Sequence, residues 1–163
     1  MKRIKFISNH TLFKFSCERL AELEKDRRFC CHQMNHLLDV ARIAYIRNLE
    51  RNLGFKKEII YATALLHDVG KYAQYENGTP HEIKSAEIAE IILSDMPENI
   101  CFTSAEQEEI ITAIRGHRKL RENASTLESL LYESDKASRT CFSCPAETDC
   151  NWSMSKKNME III

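Results

Sequence analysis

Between Gln33 and Leu53 the chain reads QMNHLLDVARIAYIRNLERNL, and its apolar residues Leu37, Val40, Ala41, Ala44 and Tyr45 return at helical intervals. Such a stripe lies along one face of an α-helix and does not fit the two-residue period of a strand. A helix with one apolar face must cover it with other elements, so the neighbouring segments decide the architecture. Most of them also read as helical. From Ser8 onward Leu12, Phe13, Phe15, Leu20 and Leu23 approximate the same spacing, and KKEIIYATALLHDVG is apolar on most sides, as suits a segment running through the middle of a bundle. In HEIKSAEIAEIILSD, with Thr79 as cap and Pro80 in the first turn, the expected apolar face is Ile83, Ile88, Ile91 and Ile92.

Thr103 and Glu106 are spaced as a capping box for a helix to about Arg118, and a last core helix is expected from about Thr126 to Arg139. Gly54 is suited to end the first of these helices in a left-handed turn. Residues 1–7 suggest a short extended segment, and KYAQYENGTP, with Asn77-Gly78 and Pro80, reads as a loop. The expected fold class is all-α, a helical bundle with five or more core helices over residues 1–140, with a cysteine-containing tail, residues 141–163, packed on the same domain.

A chain of 163 residues fits one domain, and its 44% hydrophobic and 29% charged residues match an ordinary globular protein. The 23 basic and 24 acidic residues are interspersed, so the net charge of -1 gives no overall field to draw nucleic acid. No apolar run approaches the roughly 20 residues of a membrane span, and the start MKRIKFISNH has too short an apolar stretch for a signal peptide. The expected location is the cytoplasm, with no membrane partner. Seven cysteines, an odd number, then point to reduced thiols or metal ligation in place of a disulfide framework.

Four of the six histidines fall where the inferred helices begin, end or line the core: His36, His67, His81 and His117. Two aspartates join them, Asp68 directly after His67 and Asp135 inside the last helix. Imidazoles and carboxylates hold transition-metal ions, and bundles build such sites from side chains projecting inward from several helices. Burying His67 beside the charged Asp68, straight after the apolar run Ala62 to Leu66, is costly unless a cation or hydrogen bonds compensate. A single buried histidine is more often a hydrogen-bonded core residue; it is the set that points to metal.

These residues resemble the HD-domain phosphohydrolases. The resemblance rests on HLLDVARIA at His36, LLHDVGK from His67 to Lys71, HEIKSAEIAEIIL at His81, AIRGHR around His117 and LYESDKASR around Asp135, and spans roughly residues 30 to 140. It implies that His36, His67, Asp68 and Asp135 bind one metal, that His81 and His117 bind a second, and that Asp68 bridges them. One or two divalent ions of Fe, Mn, Zn, Co or Ni would suit that set. The residue after His81 is Glu82, where two-metal relatives often have Gly. His32, four residues before His36, is an alternative first ligand or a substrate contact, whereas His10 has no motif around it and is expected to be exposed.

The implied reaction is hydrolysis of a phosphoester or phosphoanhydride of a nucleotide or another small phosphorylated metabolite, with Asp68 and Lys71 catalytic. Lys71 would contact a phosphate oxygen, and Arg118, His32 and Arg27 or Arg28 would extend the binding rim. Two alternatives share the ligand set, a mixed-valent di-iron oxygenase and a non-catalytic metal- or nucleotide-binding sensor. Separately, Cys141, Cys144 and Cys150 form a C-x2-C-x5-C group after the last helix, apt for zinc or an iron–sulfur cluster, with Cys30, Cys31 or Cys17 as fourth ligand.

Overall fold

The computed structural model describes residues 1–161 and contains eight α-helices: α1 Lys2–Asn9, α2 Thr11–Leu23, α3 Met34–Glu50, α4 Lys57–Leu66, α5 Lys71–Asn77, α6 His81–Ser94, α7 Ser104–Gly116 and α8 Thr126–Ala137. Two 3-10 turns, Cys141–Ser143 and Met154–Lys156, follow α8, and there is no strand among the described residues. The fold class is therefore all-α, as expected. None of these helices is long and apolar enough to cross a membrane.

Helix α4 is the axis of the bundle. Ile59, Ile60 and every residue from Ala62 to Leu66 are buried in it, because α3, α7, α1, α6 and α8 surround it. Each fully buried Leu or Ile contributes on the order of 2 kcal/mol, and together these offset the entropy of ordering the chain. Around this axis, α3 applies the stripe Leu37, Val40, Ala41 and Ala44, α7 applies Ile110, Ala113 and Ile114, and α8 applies Leu127, Leu130 and Leu131. The Thr103–Glu106 capping box at the start of α7 is formed in both directions.

Five local expectations are corrected. Residues 1–7 are not extended: they lie in α1, which buries Ile7, packs Ile4 and Phe6 against the core, and is anchored by Arg3 donating to the carbonyls of Ile100 and Cys101 at 2.8 and 2.9 Å. Helix α3 ends on Asn52, not on Gly54. Asn52 takes the left-handed conformation (φ 54°), and Leu53 N and Asn52 N donate to Asn48 O and Leu49 O, which closes a Schellman turn; Gly54 (φ 80°) only redirects the chain afterwards.

The stretch from Lys71 to Asn77 is helix α5, not loop. Ala73 is buried, Tyr72 packs edge-on against Phe15, and Tyr75 Oη donates to Glu24 at 2.9 Å, so tertiary contacts hold a turn that the local sequence does not advertise. The Asn77-Gly78 signal marks only its end, with Gly78 left-handed at φ 78°. Finally, α6 is rotated from the expected face. Ile83 and Ile91 are 44% and 49% exposed, and the buried stripe is His81, Ser85, Ala86, Ile88, Ala89, Ile92 and Leu93; Thr79 makes no side-chain cap. His10 is also not a free surface residue: its Nδ1 accepts from Leu12 N to cap α2, and its Nε2 lies 3.1 Å from Asp95.

Candidate metal centre

The site is assembled where α4 runs out. His67 keeps helical dihedrals, Lys71 N donates to Asp68 O at 2.9 Å, and the chain turns directly into α5. This turn presses against α6 with no room to spare. A Cβ on Gly70 would stand 2.3 Å from Ser85 N and 2.6 Å from the Lys84 carbonyl carbon, and Gly70 N donates to Ser85 Oγ. The close approach puts Asp68 opposite His81, at the first turn of α6.

Asp68 then has a different pair of imidazoles on each oxygen. Its Oδ2 is 3.5 Å from His36 Nε2 and 3.4 Å from His67 Nε2; its Oδ1 is 3.3 Å from His81 Nε2 and 3.5 Å from His117 Nε2. Asp135 Oδ1 completes the first side, 3.4 Å from His36 Nε2 and 3.9 Å from His67 Nε2. Two donor groups result, His36, His67, Asp68 and Asp135 on one side and Asp68, His81 and His117 on the other, and within each the donor atoms lie within 4.8 Å of one another. Each could hold one cation.

The outer hydrogen bonds fix which nitrogen is bare. His67 Nδ1 donates to Ala64 O at 2.7 Å, His117 Nδ1 to Ile114 O at 2.6 Å, and His36 Nδ1 to Ser138 Oγ at 3.2 Å. Ser138 Oγ donates onward to Asp135 O, so it is free to accept from His36. His81 Nδ1 donates to Gln74 Oε1 at 2.5 Å. All four rings thus direct an Nε2 lone pair inward, the tautomer that a metal requires. On the carboxylate side, Arg139 Nη2 donates to Asp135 Oδ2 at 3.0 Å and leaves Oδ1 facing the centre.

Such convergence is unfavourable without a positive charge at its middle. His36 Nε2, His67 Nε2, Asp68 Oδ1 and Asp135 Oδ1 are buried with no hydrogen-bond partner, and the lone pairs of His81 and His117 meet at 3.2 Å. Burial lowers the pKa of His36 and pushes that of His81 down to about 3, whereas at His67 the effect of burial is outweighed by the Asp68 and Asp135 carboxylates and the pKa is raised. Burial also disfavours the charged form of Asp68, but His67, His117 and His36 outweigh it and hold the carboxyl well below its usual range. Imidazoles that turn Nε2 inward around carboxylates form a donor set that fits divalent transition metals.

A family model for the HD domain matches residues 34–140, from the first residue of α3 to just past α8. The chain belongs to the HD-domain family. A protein of Clostridium beijerinckii described as uncharacterized is 48% identical to this HD protein over 161 residues, covering 99% of each chain. No solved structure matches it.

The other residues singled out from the sequence lie around this HD centre at different distances. Lys71 is half-buried with its Nζ 3.5 Å from His81 Nδ1, and burial lowers its pKa against the opposing pull of Asp68. His32 is buried but stands outside both donor groups. Its Nδ1 and backbone N contact Glu24 at 2.6 and 2.7 Å, and its ring lies edge-on to His36 with centroids 5.5 Å apart, so His36 and not His32 enters the donor set. Arg118 is exposed and reaches Glu82, the residue beside His81, at 3.4 Å. Arg28 pairs with Asp149 at 2.9 Å, whereas Arg27 donates to Cys30 O and stacks over Tyr75.

Four supporting residues were not anticipated: Gln74, Ser138, Arg139 and Glu24. Arg139 sits four residues after Asp135, a helical spacing at which an ion pair is readable in advance. Gln74 was hidden because its segment reads as loop. Replacing it with leucine keeps the bulk and removes the acceptor that orients His81. The expected result is a loss of about 10- to 100-fold in affinity for the ion on the His81–His117 side, with the His36–Asp135 side retained. Competition with a chelator measures this; equal loss from both sides would show that Gln74 acts on the fold and not on His81.

Proposed function

We propose that this HD protein is a metal-dependent phosphohydrolase that cleaves a phosphoester or phosphoanhydride of a nucleotide or another small phosphorylated metabolite. The observation that carries the reading is the sharing of Asp68 between two buried donor groups, one oxygen to each. In this reading His36, His67, Asp68 and Asp135 hold one divalent ion, and Asp68, His81 and His117 a second. Ions so held would acidify a water at the centre and neutralise charge that develops on phosphate oxygens.

The protein's own groups supply the rest. Asp68 fixes the spacing of the two sides, because its backbone is locked by the Gly70–Ser85 approach. Lys71 offers a cation at the helix exit, beside His81, where a non-bridging phosphate oxygen would be contacted. His32, with its Nδ1 committed to Glu24, has Nε2 left to donate to or accept from a substrate oxygen. Arg118 extends the rim at the His81 side, tethered by Glu82.

The test is to purify the protein with its native metals, measure metal content, and follow phosphate release from nucleotides, dinucleoside polyphosphates and sugar phosphates, with and without oxygen. Turnover that is independent of oxygen and lost on chelation is expected. Turnover only in air would favour the di-iron oxygenase instead, and full metal occupancy with no phosphate release from any of these classes would leave a binding or sensor role.

A further inference from the structure

Outside the histidine centre the densest group of metal-ligating side chains is in the C-terminal tail. Three successive turns fold it back on itself: Cys144 N donates to Cys141 O, Glu147 N to Cys144 O, and Cys150 N to Glu147 O, at 3.1 to 3.2 Å. The tail is fastened to the end of α8 by Asn158, whose Nδ2 donates to Ala137 O and Arg139 O at 2.9 and 2.7 Å. The loop after α2 meets it from the other side. The Arg28–Asp149 ion pair joins the two segments, and Cys30, Cys31, Cys141 and Cys144 line one cavity of about 270 Å³ with Phe29 and Pro145.

The structure distinguishes among the three candidates for the fourth thiol. Cys30 stands in the field of Cys141, Cys144 and Cys150. Cys31 stands instead in the field of Glu24 and Arg27, with its Sγ directed to Phe29 O at 3.6 Å. Cys17 packs against the hydrophobic core next to Glu18. Basic groups gather around the Cys30 group: Arg139, Arg28 and Lys157, whose Nζ is held by Glu147 at 2.6 Å and which feels Cys150 and Cys141.

The spacing indicates what they hold. A single tetrahedral zinc with bonds of about 2.3 Å places its four sulfurs about 3.8 Å apart. Among the described residues the only groups whose donor atoms fall within 4.8 Å of one another are the two at Asp68, so no three of these cysteine sulfurs are gathered that closely. A cluster of several irons and sulfides keeps its thiolates farther apart, because each thiolate binds a different iron. From Cys30, Cys141 and Cys144 lining one cavity with Cys150 beside them, and no three of the sulfurs as close together as a single ion requires, we infer that the tail binds a four-iron, four-sulfide cluster. Each thiol gives up its proton and takes one iron, with no change in the oxidation state of sulfur.

This site touches the histidine centre through Arg139 and through Lys136, whose Nζ lies 5.3 Å from the Trp152 ring centroid and 3.8 Å from Asp135 Oδ2. The guanidinium carbon of Arg139 lies 3.9 Å from the centroid of Trp152, two residues after Cys150, and the same side chain holds Asp135 Oδ2. An ordered tail thereby keeps Asp135 aimed inward.

The experiment is anaerobic reconstitution of the full, previously reduced chain with ferrous and ferric iron in equal amounts and sulfide, followed by removal of unbound ions and assay of acid-labile sulfide. The histidine site needs no sulfide, so the readout is independent of the phosphohydrolase reading. About four sulfides per chain are expected, with a visible charge-transfer band that fades on reduction. Cys30→Ser and Cys144→Ser should each lose at least half of the sulfide, while Cys31→Ser and Asp68→Ala retain it. Zinc bound by the wild-type chain at the cysteines without sulfide, no sulfide at all, equal loss in Cys31→Ser, or loss in Asp68→Ala would each overturn the inference.

Discussion

Asp68→Ala is expected to empty both sides of the histidine centre and to lower phosphate release by about a thousandfold or more. The reason is geometric. Removing any one imidazole leaves its own group one donor short, but Asp68 belongs to both groups, with Oδ2 facing His36 and His67 and Oδ1 facing His81 and His117. Without it, four inward-facing nitrogens remain and the negative charge that favours two adjacent cations drops sharply. Metal analysis and single-turnover phosphate release measure the outcome. Asp68→Asn keeps the shape and one oxygen, so it should retain more metal than Asp68→Ala while still losing most activity. Retention of full activity in either variant would remove the centre from the chemistry.

Gly70→Ala should be strongly destabilising. Its Cβ would fall 2.3 Å from a backbone nitrogen of α6, and backbone cannot swing aside as a flexible side chain does. Relief requires α6 to move as a whole, which separates His81 from Asp68 and breaks the bond from Gly70 N to Ser85 Oγ. The expected cost is about 3 kcal/mol, or a Tm lower by about 10 °C for a chain of this length. Affinity for the ion on the His81–His117 side should fall with it. Thermal unfolding and chelator competition together test this; an unchanged Tm would mean that α6 yields freely.

Both outcomes turn on a relation between helices that no local stretch of sequence specifies, and the same division runs through the whole chain. Several side-chain stripes and caps, being short-range matters, were legible, although the Asn52 turn that ends α3 and the missing Thr79 cap were not. The spacing of Leu37, Val40, Ala41 and Ala44 gave α3, the Thr103–Glu106 box gave the start of α7, and the all-helical class and the family followed from the motifs. The six residues His36, His67, Asp68, His81, His117 and Asp135, chosen from those motifs, are the ones the fold brings together.

What was misread was decided at a distance. Helix α5 exists because Tyr72 finds Phe15 and Tyr75 finds Glu24, partners more than fifty residues away, while local turn signals pointed to a loop. The buried face of α6 is set by its contact with Gly70, which draws in Ser85 and leaves Ile83 and Ile91 outside. His10 acquired its partner Asp95 only once the start of α2 met the end of α6, whereas its cap on Leu12 N is a local contact.

By itself, then, the sequence determined which residues could serve a metal centre, because ligand type and helical period are properties of the chain alone. Tertiary structure alone decided that His36 and not His32 enters it and that Gln74, Ser138 and Arg139 aim the donors. The physical reason is that coordination depends on where lone pairs point, and that is fixed by packing and by hydrogen bonds between segments far apart in the chain.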